Sequence, residues 1–203
     1  MNLPSVVLVL ALGADPQTEY VPKPGEFPPA NVGVYHAGEL VTVDAINRLG
    51  QIYYLRGDLP AAEGQYKRLL ELAPHDESMQ AAALGNLGRI ALTRGDLDAA
   101  EKLHREALEI NRKLGRLEGQ ASALGNLGVI ALTRGDLDAA EKLFRESLGM
   151  FRKLGNLVGQ ASNLANLGGI AQTRGDLDAA ETLLRESLEI ERRLGGLEGQ
   201  ATD

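Results

Sequence analysis

Residues 37–203 predict an all-α fold, a solenoid of stacked helix pairs, behind a mostly irregular N-terminal arm. Three observations predict it. First, the chain repeats: residues 81–120 and 121–160 are identical at 31 of 40 positions, and 121–160 and 161–200 at 28 of 40, without insertion or deletion. A more divergent copy begins near Val43, with Gly50 corresponding to Gly88 at a spacing of 38. Four units therefore lie at about 43–76, 81–120, 121–160 and 161–200. Second, each unit carries apolar residues at three- and four-residue spacing, the stripe of an amphipathic helix. Third, a Gly-Asp pair separates the two stripes of every unit, at Gly57-Asp58, Gly95-Asp96, Gly135-Asp136 and Gly175-Asp176. One helix pair cannot bury its stripe alone, so near-copies stack and share a continuous core.

The opening stretch, residues 1–14, is an apolar run too short to span a bilayer as a helix. Two readings stand for it. It has the length of a signal-peptide core, and Ala11-Leu12-Gly13 resembles a small-x-small cleavage site. Yet no Lys or Arg precedes the run, as secretory signals usually require, which favours a short strand or arm on the first repeat and a cytoplasmic location. Residues 15–36 hold five prolines and no sustained period. Proline fixes its own φ and disfavours helix in the residue before it, so this segment reads as an extended linker.

Within a unit the third copy shows the logic best. Leu124, Leu127, Ile130 and Ala131 form the stripe of the first helix. Gly135 supplies the residue that tolerates a left-handed terminator. Asp136 follows as N-cap, its carboxylate accepting otherwise unpartnered backbone N–H groups. The second helix then buries Leu137, Ala140, Leu143, Phe144, Ser147 and Leu148, and Gly155 ends it. In the first unit Pro60 falls in the opening turn of its helix, where a missing N–H costs little. The recurring Arg-Gly-Asp is thus a helix end, a terminator and a cap. An adhesive role is disfavoured, because the cap uses the carboxylate that a receptor would need.

Composition removes several function classes. Net charge is −7, and Lys and Arg alternate with Glu and Asp rather than cluster, which disfavours nucleic acid and anionic membrane as partners. Cysteine is absent, excluding disulfides and thiolate metal sites. His36, His75 and His104 lie in unrelated contexts, with no metal-spaced pair, nucleophile elbow or glycine-rich phosphate loop. The reading is a non-enzyme without cofactor or metal. The charges Glu101, Lys102, Arg105, Glu106 and Glu109 read as a solvated face with helix-spaced ion pairs.

At this point the residues resemble a known family, the tetratricopeptide repeats. Its signature positions correspond here to Leu124, Leu127, Gly128, Ala131, Ala140, Phe144 and Ser147 in the third unit. The second unit has Leu84, Leu87, Gly88, Ala91, Ala100, His104 and Ala107; the fourth has Leu164, Leu167, Gly168, Ala171, Ala180, Leu184 and Ser187. The first has Ile46, Leu49, Gly50, Tyr53, Ala62, Tyr66 and Pro74. The period exceeds the family's usual length of about 34 residues, and in this the units are similar to those of kinesin light chains and the Leu-Gly-Asn-repeat adaptor of spindle orientation.

The resemblance implies a right-handed solenoid whose first helices line a concave groove for a peptide segment of another protein. Carried over position by position, the groove would display Arg48, Asn86, Asn126 and Asn166 in one row. A second row would hold Gln51, Arg89, Val129 and Gly169, and a third Leu55, Thr93, Thr133 and Thr173. An Asn amide offers a donor and an acceptor, so three in a row suit an extended backbone, as in the asparagine ladder of the similar repeats of O-linked N-acetylglucosamine transferase. Arg48 and Arg89 would favour an acidic ligand. The Thr row is expected to bond back to its own helix. "GGLEGQATD" reads as the start of a fifth first helix that leaves the fourth unit without a polar cap. The function expected is therefore a protein-interaction scaffold. The alternative is an oligomerisation or spacer segment associating through the bare end near Arg192–Ala201.

Overall fold

The computed structural model describes residues 9–11, 32–36 and 39–200, with side chains from 43 to 195. The segments 1–14 and 15–36, apart from Val9–Ala11 and Val32–His36, lie outside the described residues. Three short strands, β1 (Val9–Ala11), β2 (Val32–His36) and β3 (Glu39–Thr42), form an antiparallel sheet in the order β1-β2-β3, with Val34 paired to both Val9 and Val41. The rest of the described chain is helical: α1 (Val43–Leu55), α2 (Leu59–Leu72), α3 (Glu77–Thr93), α4 (Leu97–Lys113), α5 (Leu117–Thr133), α6 (Leu137–Leu154), α7 (Leu157–Thr173) and α8 (Leu177–Gln200). This is the all-α repeat solenoid, odd-numbered helices being first helices and even-numbered ones second. The chain divides into two compact bodies, residues 1–90 and 91–203, called the first and the second unit from here on in place of the repeats.

In the first unit Asp58 caps α2, accepting from the Ala61 amide at 3.1 Å, and Pro60 occupies the first turn. Tyr66 is fully buried against α1, where a Cβ added to Gly50 would lie 2.7 Å from its ring. Ala62, Leu69, Leu84, Leu87 and Ile90 are also buried.

The second unit shows why the Gly-Asp pair recurs. Gly135 adopts φ +81°, its N–H donates to the Leu132 carbonyl at 3.0 Å, and the Asp136 N–H donates to that of Ala131 at 2.9 Å. Such a reversal satisfies the last carbonyls of α5, and glycine meets its positive φ without steric cost. Asp136 then accepts from the Ala139 amide at 3.0 Å, as Asp96 and Asp176 do from Ala99 and Ala179.

Packing between repeats follows from which residues are small. Ala140, Phe144 and Leu148 of α6 form one buried cluster with Ala161, Leu164, Leu167 and Ile170 of α7 and Ile190 of α8. Ala100 and Leu108 of α4 meet Ala123, Leu124, Leu127 and Ile130 of α5 in the same way. The Phe144 ring sits directly over Gly128, whose added Cβ would come within 2.8 Å of it. His104 is buried at the equivalent position, a core residue. Ser147 Oγ in this core donates to the Ala121 carbonyl at 2.8 Å and accepts from Asn163 Nδ2 at 3.0 Å. Asn163 Nδ2 also donates to the Gly159 carbonyl at 2.8 Å.

The linking turns carry a device the sequence reading missed. Gln120 Nε2 donates to the Asn111 carbonyl and Gln160 Nε2 to that of Phe151, both at 3.2 Å. Each glutamine thus ties the start of a first helix to the end of the helix before it. At Gly115 and Gly155 the backbone reverses with φ near +66° and +67°. Gly195, at the corresponding place, is not among the positive-φ glycines, and α8 continues to Gln200. The expected fifth first helix is accordingly part of α8.

The charged face also needs correction. Arg105 pairs with Glu101 at 2.6 Å within α4, as expected, and Lys102, Glu106 and Glu109 are exposed. Glu101 is half-buried, however, and accepts as well from Arg134 at the end of α5, which also reaches Asp98. Arg174 repeats the arrangement on Glu141 and Asp138. Arg134 and Arg174 therefore clamp their repeats to the preceding second helix. These arginines, with Arg105 and Arg145 assisting, hold the Glu101 and Glu141 carboxyls below the usual range. A depressed carboxyl contributes stability that is present above its unfolded pKa and lost as pH falls through the folded one. The melting temperature should therefore fall as pH drops from about 5 to below 4. Glu101→Gln/Glu141→Gln should flatten that slope, and the flattening should shrink in high salt because the pairs face solvent.

Candidate functional site

Burial selects the available face of each first helix. On α5, Ala123, Leu124, Leu127 and Ile130 are consumed by the core, which leaves Ser122, Asn126, Val129 and Thr133 as a stripe at helical spacing. On α7 the matching stripe is Ser162, Asn166, Gly169 and Thr173. Ser122, Ser162, Thr133 and Thr173 are exposed, and Asn126, Asn166, Val129 and Gly169 are half-buried. Sequence reasoning missed the two serines, although they continue the same spacing.

Asn126 and Asn166 keep their hydrogen-bonding capacity. Among the described residues neither amide makes a hydrogen bond to another group. Val129 and Gly169 stand where Arg89 stands beside Asn86 and carry no polar side chain, and a Cβ added at Gly169 would meet nothing within 4 Å. The threonines do as expected, Thr133 Oγ1 donating to the Val129 carbonyl and Thr173 Oγ1 to the Gly169 carbonyl, both at 2.8 Å. Their hydroxyl protons are thereby committed. The buried amides Asn111 and Asn163 contrast with the stripe, each bonded inside the fold.

The remaining candidates belong to the first unit. Asn86 is half-buried, donates to Asn47 Oδ1 at 3.5 Å and accepts from Arg89 Nη1 at 3.4 Å. Both distances are long for hydrogen bonds. The Arg89 guanidinium lies 4.3 Å from the centre of the Tyr54 ring, a cation–π placement. Arg48 is exposed and pairs with Asp44 at 2.8 Å; Gln51 and Leu55 are exposed. Tyr54 and Asn47 are the neighbours that sequence reasoning did not single out.

Among the described residues no group of His, Asp or Glu side chains converges as a metal site would, and no helix is long and apolar enough to cross a membrane. Comparison with known families decides what the repeating unit is. Family models described as tetratricopeptide repeat match residues 43–76, 79–153 and 161–198. The chain belongs to the tetratricopeptide repeat family. Such arrays serve in general as protein-interaction scaffolds rather than as enzymes.

Solved structures share the fold. BtubC (BKLC) from P. vanneervenii aligns with a TM-score of 0.65 at 23% identity, over 76% of this chain and 65% of that one. MamA aligns with a TM-score of 0.56 at 21% identity, over 76% and 81%. The apo form of RapI aligns with a TM-score of 0.68 at 14% identity, over 79% and 59%. The tetratricopeptide array thus spans 65% of the length of BtubC and 59% of that of RapI. At these identities the likeness concerns the fold alone. No curated protein matches the chain.

Proposed function

We propose that this tetratricopeptide array is a non-catalytic scaffold that receives an extended segment of a partner protein along its first helices. In the second unit Asn126 and Asn166 hold the segment by its backbone, each amide donating to a peptide carbonyl and accepting from a peptide N–H. In the first unit Asn86 and Gln51 provide the same chemistry, and Arg48 and Arg89 favour an acidic segment. The observation that carries this reading is the pair Asn126 and Asn166, at one register position of successive first helices, half-exposed and not bonded to any described residue. Open space beside Asn166 at Gly169 supports it, because a peptide backbone needs close approach.

Peptides selected from a random extended library against the 203-residue chain, then titrated by calorimetry, test the proposal. Asn126→Ala/Asn166→Ala should weaken binding more than about tenfold, two lost hydrogen-bonding groups at roughly 1 kcal/mol each. Gly169→Trp should block binding while leaving the melting temperature in place, since no described group occupies that space. Undiminished affinity in both variants would refute the assignment.

A further inference from the structure

The two ends of the helical series expose faces that are buried in α6 and α7. In α6, Phe144 and Leu148 are 1% and 5% exposed, covered by α7. At the same positions α8 presents Leu184 and Leu188, exposed to 41% and 45%. The covering helix shows the converse. Leu167 and Ile170 of α7 are 3% and 1% exposed, whereas their counterparts in α1, Leu49 and Ile52, are exposed to 38% and 44%. So α8 carries a face that elsewhere receives a first helix, and α1 carries a face that elsewhere is received. Single exposed apolar residues need no explanation, but matched sets at equivalent positions do.

Charge follows the same pattern. Asp138 and Glu141 of α6 hold Arg174, and Asp98 and Glu101 of α4 hold Arg134. The corresponding acids on α8 are Asp178 and Glu181. Glu181 pairs with Arg185 of its own helix at 2.6 Å, and its side chain is 55% exposed where that of Glu141 is 26%. The arginine at the matching place after α1 is Arg56, which is exposed.

We propose that α8 of one copy binds α1 of a second copy, head to tail, in the geometry by which α6 holds α7. Leu184 and Leu188 meet Leu49 and Ile52 of the second copy, and Asp178 and Glu181 receive its Arg56. This sharpens the alternative of association through the C-terminal repeat and moves it from residues 192–201 to the face of α8. It uses none of the groove asparagines, so it stands or falls separately from the peptide reading. Because the two faces differ, the contact is heterologous, and every added copy leaves both faces open for another. One rim pair opposes it. Arg152 bonds Glu186 at 2.7 Å across successive second helices, but at the joint Arg192 would stand opposite Arg68. Arg192 is exposed and Arg68 half-buried, and like charges in contact with solvent subtract little.

Sedimentation velocity of the 203-residue chain, from low micromolar to near-millimolar concentration, provides the test. Mean mass should climb past the dimer without a plateau. Arg56→Glu alone, or Asp178→Arg/Glu181→Arg alone, should weaken association by about tenfold or more, since each sets like charges face to face at the joint. The triple variant carrying all three changes should associate again, which a merely unfolded chain cannot do. Arg68→Glu should tighten association by up to about fivefold. Mass that stops at a dimer and ignores Arg56→Glu would mean α8 pairs with α8, and the proposal fails. It fails equally if the wild-type chain stays monomeric throughout, or if the triple variant does not recover.

Discussion

Replacing Phe144 by Ala should destabilise the array by about 3–5 kcal/mol, the usual cost of removing a buried aromatic ring. Phe144 is 1% exposed and belongs to the buried cluster that spans α6, α7 and α8. Denaturant unfolding at concentrations that keep the chain monomeric measures the loss. Leu184→Ala supplies the comparison at the equivalent place in α8. There the side chain is 41% exposed, less area is returned to water, and the expected cost is about 1–2 kcal/mol. Equal losses at the two sites would show that the α8 face is not open in the monomer, contrary to the packing described.

Gly128→Val should cost about 2–3 kcal/mol, although a glycine in mid-helix is ordinarily replaced at a profit. Valine relieves the backbone entropy of glycine by a few tenths of a kcal/mol. Against that, the first carbon alone would stand 2.8 Å from the Phe144 ring, and overpacking of a filled core typically costs about 1–3 kcal/mol. The ring shares its buried cluster with Leu148, Leu164 and Leu167. The two substitutions should therefore be strongly non-additive: Gly128→Val placed in Phe144→Ala fills the vacated volume, and the double variant should be more stable than the sum of the single losses. Gly149→Ala is the control, since nothing lies within 4 Å of its added Cβ, and should stabilise by about 0.5–1 kcal/mol. Simple additivity at 128 and 144 would contradict the ring-on-glycine contact.

These contrasts show what a repeat discloses and what it hides. The terminating glycine and capping aspartate were legible because their chemistry is local: Gly135 and Asp136 act on backbone groups three to five residues away. The stripes of α5 and α7 were legible because their period matches the helix. The clamp by Arg134 was not, since its partners Asp98 and Glu101 lie 36 and 33 residues earlier and only stacking brings them near. Gln120 and Gln160 escaped notice for the same reason, as their acceptors belong to the preceding helix. Asn163 stands where the other copies have Ala83 and Ala123, and its role rests on Ser147 in the neighbouring helix. Within the candidate site, the exposed face was predictable by subtraction from the core. That Asn86 has Asn47 and Arg89 nearby while Asn126 and Asn166 are unengaged goes with Val129 and Gly169 standing at the place of Arg89, a difference among copies that the shared pattern conceals.

Side-chain amide resonances give the most direct test of peptide recognition by the first helices. A peptide selected against the chain should shift the Asn126 and Asn166 Nδ2 signals and slow their exchange with water. The Asn111 and Asn163 signals, bonded inside the fold, should stay in place. Shifts confined to other residues, with Asn126 and Asn166 unmoved at saturation, would contradict the account.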